Sequence, residues 1–201
     1  MSSPNAFRSQ RLYYRAVEDT DFDRQWFHTQ IQSDPAVFSL FDPSVVRPQT
    51  RSQSDSKLAD IQKGLLGVFI CLPPQNTTTQ DADILEKLTP IGILNLDDVA
   101  GERYRHHHRL VELQISIAPS YQNQGYGSEA IRWALDWAFE RANIHSVGLG
   151  CVEYNDRGKR LYERLGFVME GRCRKCHFHE RKWWDILLYS MLEGEWEALK
   201  S

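Results

Sequence analysis

Residues 117–130 read Ile117-Ala118-Pro119-Ser120-Tyr121-Gln122-Asn123-Gln124-Gly125-Tyr126-Gly127-Ser128-Glu129-Ala130. This stretch joins two periodic segments. Before it, Leu110 to Ala118 reads as a strand. After it, Ile131, Trp133, Ala134, Leu135, Ala138 and Phe139 recur at helical spacing and predict a helix over 125–142. Two glycines at a strand-to-helix junction let the backbone approach a ligand closely and turn successive N–H groups outward. Those donors lie at a helix N-terminus, where the macrodipole also favours a phosphate or pyrophosphate. Each charge-assisted hydrogen bond to such an anion contributes roughly 1.5–3 kcal/mol. The backbone from Gln124 to Ser128 therefore reads as an anion cradle.

Two other readings compete with it. Glycine can simply relieve strain at such a turn. Gly125-x-Gly127-x-x-Ala130 also fits the dinucleotide fingerprint, but there the first glycine follows the strand in a tight turn. Here Pro119 to Gln124 intervene, and no second nucleotide-binding half precedes the strand. A nicotinamide-dependent oxidoreductase is the weaker reading.

Working outward, Arg11–Val17 and the apolar run Leu65–Leu72 predict strands, as does Ile91–Leu96. Thr20, with Asp23 three residues on, predicts a helix to about Gln32, stopped by Asp34-Pro35. Residues 43–56 read as an irregular loop, Lys57–Lys63 as a short helix and 73–83 as a surface insertion. Ser146–Tyr154 predicts a strand. Asp156–Leu165 predicts a helix closed by Gly166 in a left-handed cap. Val168–Phe178 and Trp184–Met191 predict two strands turning near Glu180-Arg181-Lys182. The fold class is α/β (α+β): one mixed sheet flanked by helices. Residues 1–10 read as a flexible N-terminus and 11–201 as a single domain.

The 201 residues are 41% hydrophobic and 25% charged, with a net charge of −3, which suits one soluble domain and supplies no strong field for nucleic acid. No segment is long enough to span a bilayer, and no signal-peptide run opens the chain. Four unevenly placed cysteines in a chain of this size fit a reducing cytoplasm. The expectation is no nucleic-acid and no membrane partner.

Gln122-x-x-Gly125-x-Gly127 resembles the Arg/Gln-x-x-Gly-x-Gly/Ala signature with which the GNAT superfamily of N-acetyltransferases grips the CoA pyrophosphate. One strand and one helix further on, Asn155-Asp156-Arg157-Gly158-Lys159-Arg160-Leu161-Tyr162-Glu163-Arg164-Leu165-Gly166-Phe167 resembles that superfamily's Asn-x-x-Ala-x-x-x-Tyr-x-x-x-Gly-Phe segment, with Gly158 for alanine. Arg109 to Pro119 resembles the corresponding strand of spermidine/diamine and ribosomal-protein N-terminal acetyltransferases. The resemblance covers about the last half of the chain. It implies a largely antiparallel GNAT sheet, splayed between its fourth and fifth strands, where acetyl-CoA enters as acetyl donor.

The resemblance also implies roles. Tyr162 is the general acid near the CoA sulfur, and Asn155 bonds the pantetheine arm, although asparagine is also a good N-cap. Gln122, Asn123, Gln124, Gly125, Tyr126, Gly127 and Ser128 form the pyrophosphate loop; at Gln122 hydrogen bonding replaces the arginine ion pair of many relatives. Ile115 and Ile117 offer backbone groups to pantetheine. Glu112 is the carboxylate that deprotonates the amine, directly or through water, or else a solvated edge group. By position rather than resemblance, Asp97 and Asp98 end the preceding strand and either add negative potential for a cationic amine or form a solvated turn. The acceptor is a primary amine, on a small molecule such as a polyamine or on a peptide N-terminus, attacked in a ternary complex. A non-catalytic acyl-CoA sensor is the alternative.

Some features read as bland. Cys173-Arg-Lys-Cys176-His177 with His179 has metal- or haem-like spacing, but on a strand positions three apart face opposite ways, so no metal is expected. His106-His107-His108 reads as a solvated loop. Of Trp183 and Trp184, one packs inside and the other faces the acceptor cleft or a dimer contact, so a homodimer stays open.

Overall fold

The computed structural model of the chain describes residues 6–74, 87–98 and 107–200. Most of the insertion at 73–83, and His106, lie outside them. Helix α1 (Asp21–Phe27) starts as its sequence requires, with the Thr20 hydroxyl accepting from the Asp23 N–H at 3.2 Å. It runs into a π-helical turn at His28–Gln32. Asp34 ends this helical run and starts another. Its carboxylate accepts from Ala36 and Val37 N–H at 2.9 and 3.1 Å, opening α2 (Pro35–Phe41) with proline in the first turn. The sequence reading saw only the stop. It also took 43–56 as a loop, yet α3 (Arg51–Lys63) begins inside that range because Thr50 and Gln53 form a reciprocal capping box.

Among the described residues, seven strands make one sheet: β1 (Tyr13–Ala16), β2 (Leu66–Leu72), β3 (Thr89–Asp98), β4 (Leu110–Ile117), β5 (Ser146–Val152), β6 (Val168–His179) and β7 (Lys182–Leu192). Their order is β1-β2-β3-β4-β5-β7-β6, and every neighbouring pair is antiparallel except β4–β5. Helix α4 (Tyr126–Glu140) follows β4, α5 (Asp156–Leu165) follows β5, and α6 (Glu193–Lys200), which the sequence reading omitted, ends the chain. Gly166 caps α5 at φ 96°, the expected left-handed cap. Glu180 and Arg181 join β6 to β7 at φ 47° and 63°, both in the left-handed region, as a tight hairpin demands.

Strand alternation sends side chains to two cores. Val68, Ile70, Leu94, Leu96, Val111 and Leu113 face α4, whose buried stripe includes Ile131, Trp133, Leu135 and Phe139. Phe69, Cys71 and Ile93 face the other way, against Phe27, Ile31, Val37 and Leu58 of the first three helices. Trp133 stacks on Tyr14 at 3.6 Å between ring centroids, worth about 0.5–1.5 kcal/mol beyond its buried area. Among the described residues, no helix is long and apolar enough to cross a membrane.

β4 and β5 pair only through Leu110–Ser146, Val111–Val147 and Glu112–Gly148, although both strands continue. They splay apart beyond Glu112, as the family resemblance implies. The segment before β1 is tied to α4 at the mouth of this splay. Ala6 O accepts from Trp133 Nε1 at 2.9 Å, and Ser9 Oγ and the Arg11 N–H donate to Glu129 at 2.7 and 2.6 Å. Residues 6–10, read from sequence as part of a flexible end, are thus bonded to the fold.

Two predictions follow from buried charge. Asp23, almost fully buried, takes a fork of two hydrogen bonds from Arg15 at 2.6 and 2.9 Å. Asp23→Asn breaks the pair and should lower stability by about 3 kcal/mol in chemical denaturation. Burial pushes the Glu129 carboxyl up, but the bonds from Arg11 and Ser9 outweigh it and hold it below the usual carboxylate range. A lowered carboxylate contributes stability that is present above its unfolded pKa and lost as pH falls through the folded one. Glu129→Gln should flatten that acid limb in melts recorded across pH.

Candidate active site

A cavity of about 530 Å³ opens at the splay. One wall is the loop between β4 and α4. Gly125, at φ 83°, turns the chain into α4 and caps it without any side-chain hydrogen bond. Side chains do cap α1, α2, α3 and α5. The donors at the start of α4 therefore face the cavity without a side-chain acceptor, which is what an anion cradle requires. Gln122 uses both ends of its amide inside the protein: Nε2 donates to Ile117 O at 2.8 Å, and Oε1 accepts from Arg157 at 2.9 Å. The bond to Ile117 O fixes the amide's orientation, so the oxygen is the end that meets Arg157.

The facing wall is α5 and the turn before it. Asn155 caps α5, its Oδ1 accepting from Gly158 N–H at 2.9 Å. A Cβ at 158 would lie 2.6 Å from Asn155 Nδ2, so this glycine lets the cap sit close. Tyr162 lines the cavity next to Leu161, its ring edge-on to Phe167 at 5.9 Å and tilted against Tyr189 at 6.0 Å. Burial, and secondarily the nearby Cys151, push its phenol far above the ordinary tyrosine value. Tyr162 is thus a proton-bearing phenol throughout the physiological range.

The floor is β4, with Ile115, Ser116 and Ile117. The third side is α2, whose Val37, Leu40 and Phe41 had no signal in the sequence marking them as site residues. Nor were Arg157, Arg160 and Arg164 singled out, although their spacing of three and four on an amphipathic helix puts them on one face.

Two of the expected site residues stand outside this lining. Gln124 points back, its Nε2 donating to Ser120 O at 3.1 Å, while its carbonyl accepts from Arg11 at 3.1 Å. Glu112 lies where the β4–β5 ladder ends, in register with Gly148 on one side and Asp97 on the other. A Cβ on Gly150 would come within 4.0 Å of Glu112 Oε1, so two side-chain-free positions on β5 leave that carboxylate approachable. Alternation puts Gln114 and its register partner Asn95 on the same face of the sheet as Glu112. Asn95 Oδ1 and Gln114 Oε1 are both buried and lack a donor among the described residues.

Among the described residues no cluster of three or more His, Cys, Asp or Glu could hold a metal ion. Trp184 packs edge-on to Tyr154 at 5.3 Å, and Trp183 is exposed.

Comparison with known proteins gives the site its relatives. The profile of the acetyltransferase (GNAT) domain matches residues 11–168. The spermidine N(1)-acetyltransferase of Vibrio cholerae serotype O1 is 31% identical over 106 residues, 53% of this chain and 58% of the relative. The ribosomal protein uS5-alanine N-acetyltransferase of Escherichia coli K12 is 26% identical over 53% of each chain. An uncharacterised N-acetyltransferase of Bacillus subtilis, YnaD, is 37% identical over 39% of this chain and 46% of its own. The chain thus spans about half the length of the curated relatives it matches. In fold it is similar to the spermidine N-acetyltransferase of Vibrio cholerae solved with CoA and spermine, at a TM-score of 0.73 and 21% identity over 94% of this chain and 99% of the other. A GNAT-family acetyltransferase from Bacillus anthracis superposes at 0.72, with 23% identity over 94% and 98%. With the family profile matching residues 11–168, most of its length, the chain belongs to the GNAT acetyltransferase family.

Proposed function

We propose that the chain is an acetyl-CoA-dependent N-acetyltransferase that acts in the cytoplasm on a primary amine, with donor and acceptor bound together. The observation that carries this reading is one continuous cavity. It runs from the uncapped N-terminus of α4 to the β4–β5 splay, with Asn155 and Tyr162 on its opposite wall.

The residues present fit such a donor. Backbone N–H groups of Gly125 to Ser128 receive the pyrophosphate, and Gln122 and Asn123 shape the loop that presents them. Past Glu112, the edge of β4 that faces β5 has no ladder partner among the described residues. There the main chain around Ile115 and Ile117 hydrogen-bonds the pantetheine amides and polarises the thioester carbonyl. Asn155 has its oxygen committed to the cap, which leaves its Nδ2 donor for the arm. Bound acetyl-CoA supplies a thioester whose acetyl group passes to the amine.

Two protons have to move. Tyr162 holds one on its phenol, which burial keeps protonated, and gives it to the departing sulfur. Glu112 takes the other from the incoming ammonium, directly or through water, from the side that Gly148 and Gly150 leave open. Asp97, beside it in register, adds negative potential for a cationic acceptor. Asn95 and Gln114 keep the surroundings of Glu112 polar on the same face of the sheet.

Turnover of acetyl-CoA, read as released thiol against spermidine, diamines and short N-terminal peptides, tests the reading directly; silence across that panel would defeat it. Tyr162→Phe should reduce kcat by about 10²–10⁴-fold with CoA affinity nearly unchanged. Unchanged kcat would remove the tyrosine from the chemistry. Glu112→Gln should lower kcat at saturating amine. A raised KM for the amine with kcat unchanged would assign Glu112 to binding alone.

A further inference from the structure

The loop that receives the diphosphate carries no cation: Gln122 to Ser128 includes neither lysine nor arginine. The ligand proposed for it carries several negative charges, so the neutralising charge must come from another element. It stands across the cavity. Arg157, Arg160 and Arg164 project from one face of α5 into the same space, and no aspartate or glutamate lines it. Arg157 Nη1 donates to Gln122 Oε1 at 2.9 Å and to Asn123 Oδ1 at 3.5 Å; Arg164 Nη2 donates to Ser128 Oγ at 3.3 Å. Two guanidinium groups thus bracket the loop at its beginning and its end, both resting on neutral oxygens.

The local electrostatics point the same way. Among the described residues no carboxylate lies within ion-pair distance of any of the three arginines, whereas Lys159, on the outer face of α5, pairs with Asp156 at 2.7 Å. Arg157 also sits in the first turn of α5, directly after Asp156, where the helix dipole disfavours a positive charge. A cation in an unfavourable field, unpaired, facing uncapped donors across a cavity, is suited to a multiply charged anion. Guanidinium groups meet phosphate oxygens in bidentate fashion.

We propose that α5, rather than the loop, supplies the charge that holds CoA: Arg157 and Arg164 grip its diphosphate from opposite ends of the loop, and Arg157 replaces the cation missing at Gln122. This rests on the CoA reading of the cavity. On binding, Arg157 exchanges two neutral amide oxygens for phosphate, and Gln122 is left as the brace that its bond to Ile117 already makes it.

Calorimetric titration of CoA, dephospho-CoA and pantetheine tests the assignment, with melting temperatures confirming that each variant folds. Arg157→Gln and Arg164→Gln should each weaken CoA and dephospho-CoA alike, by about tenfold or more, and leave pantetheine unaffected. Arg157→Lys should recover part of the loss, because it keeps the charge without the fork. Gln122→Ala should weaken CoA less than Arg157→Gln does. The inference is overturned if Arg157→Gln binds CoA as the unmodified protein does. It is equally overturned if Gln122→Ala reproduces the whole loss, which would make Arg157 only a buttress for the loop. Failure of the unmodified protein to bind CoA at all would instead defeat the CoA reading, and this inference with it.

Discussion

The parting of β4 from β5 is the constraint on which the rest of the site depends. Three register pairs hold the two strands together, and then each follows a different neighbour, β4 along β3 and β5 along β7. A sheet whose middle opens leaves polar main chain exposed in its interior, and unpaired backbone groups are costly unless something bonds them. Both helices that follow the diverging strands start at the open end. The gap, the free strand edge and the start of α4 therefore share one cavity.

The two walls of that cavity are built to opposite chemistry. The loop wall is rigid and neutral: Gly125 turns it, Gln122 ties it to Ile117, and Arg11 and Glu129 fasten it to the chain before β1. The helix wall carries three arginines, Arg157, Arg160 and Arg164, and the Tyr162 ring. In the proposed reading the arginines meet a ligand's phosphates, and the phenol keeps its proton because burial raises its pKa. Burial, which raises the Tyr162 pKa, also strengthens any interaction made by charge that develops beside it.

On the far face of β3 and β4 the arrangement is different in kind. Asn95 and Gln114 keep buried oxygens without donors among the described residues, next to the register pair of Asp97 and Glu112. Buried acceptors of this sort are rare in a settled core, because each forfeits its hydration without compensation. Asn95 and Gln114 share one register pair close to the end of the β4–β5 ladder, whereas the other two such atoms, Gln32 Nε2 and Asp55 Oδ1, lie on the helical segments that precede β2.

Local chemistry determined a good part of this protein. Helical periodicity after Gly127 marked α4, Asn155 and Gly166 bounded α5 at both ends, and the two glycines marked the turn from β4 into α4, because each signal acts through neighbours within a few residues. The capping box of Thr50 and Gln53 and the double role of Asp34 were equally local and were legible, but the polar setting of the first and the proline beside the second masked them. What only the tertiary structure decided is which distant residues meet. α2 over the cavity, Glu112 at the last rung of a ladder, Arg157 reaching Gln122 and Asn95 beside Gln114 depend on pairing and packing between segments far apart in the chain. A side chain's spacing states which face of its own element it occupies, and nothing about what will face it. That partner is chosen when the sheet closes and then opens.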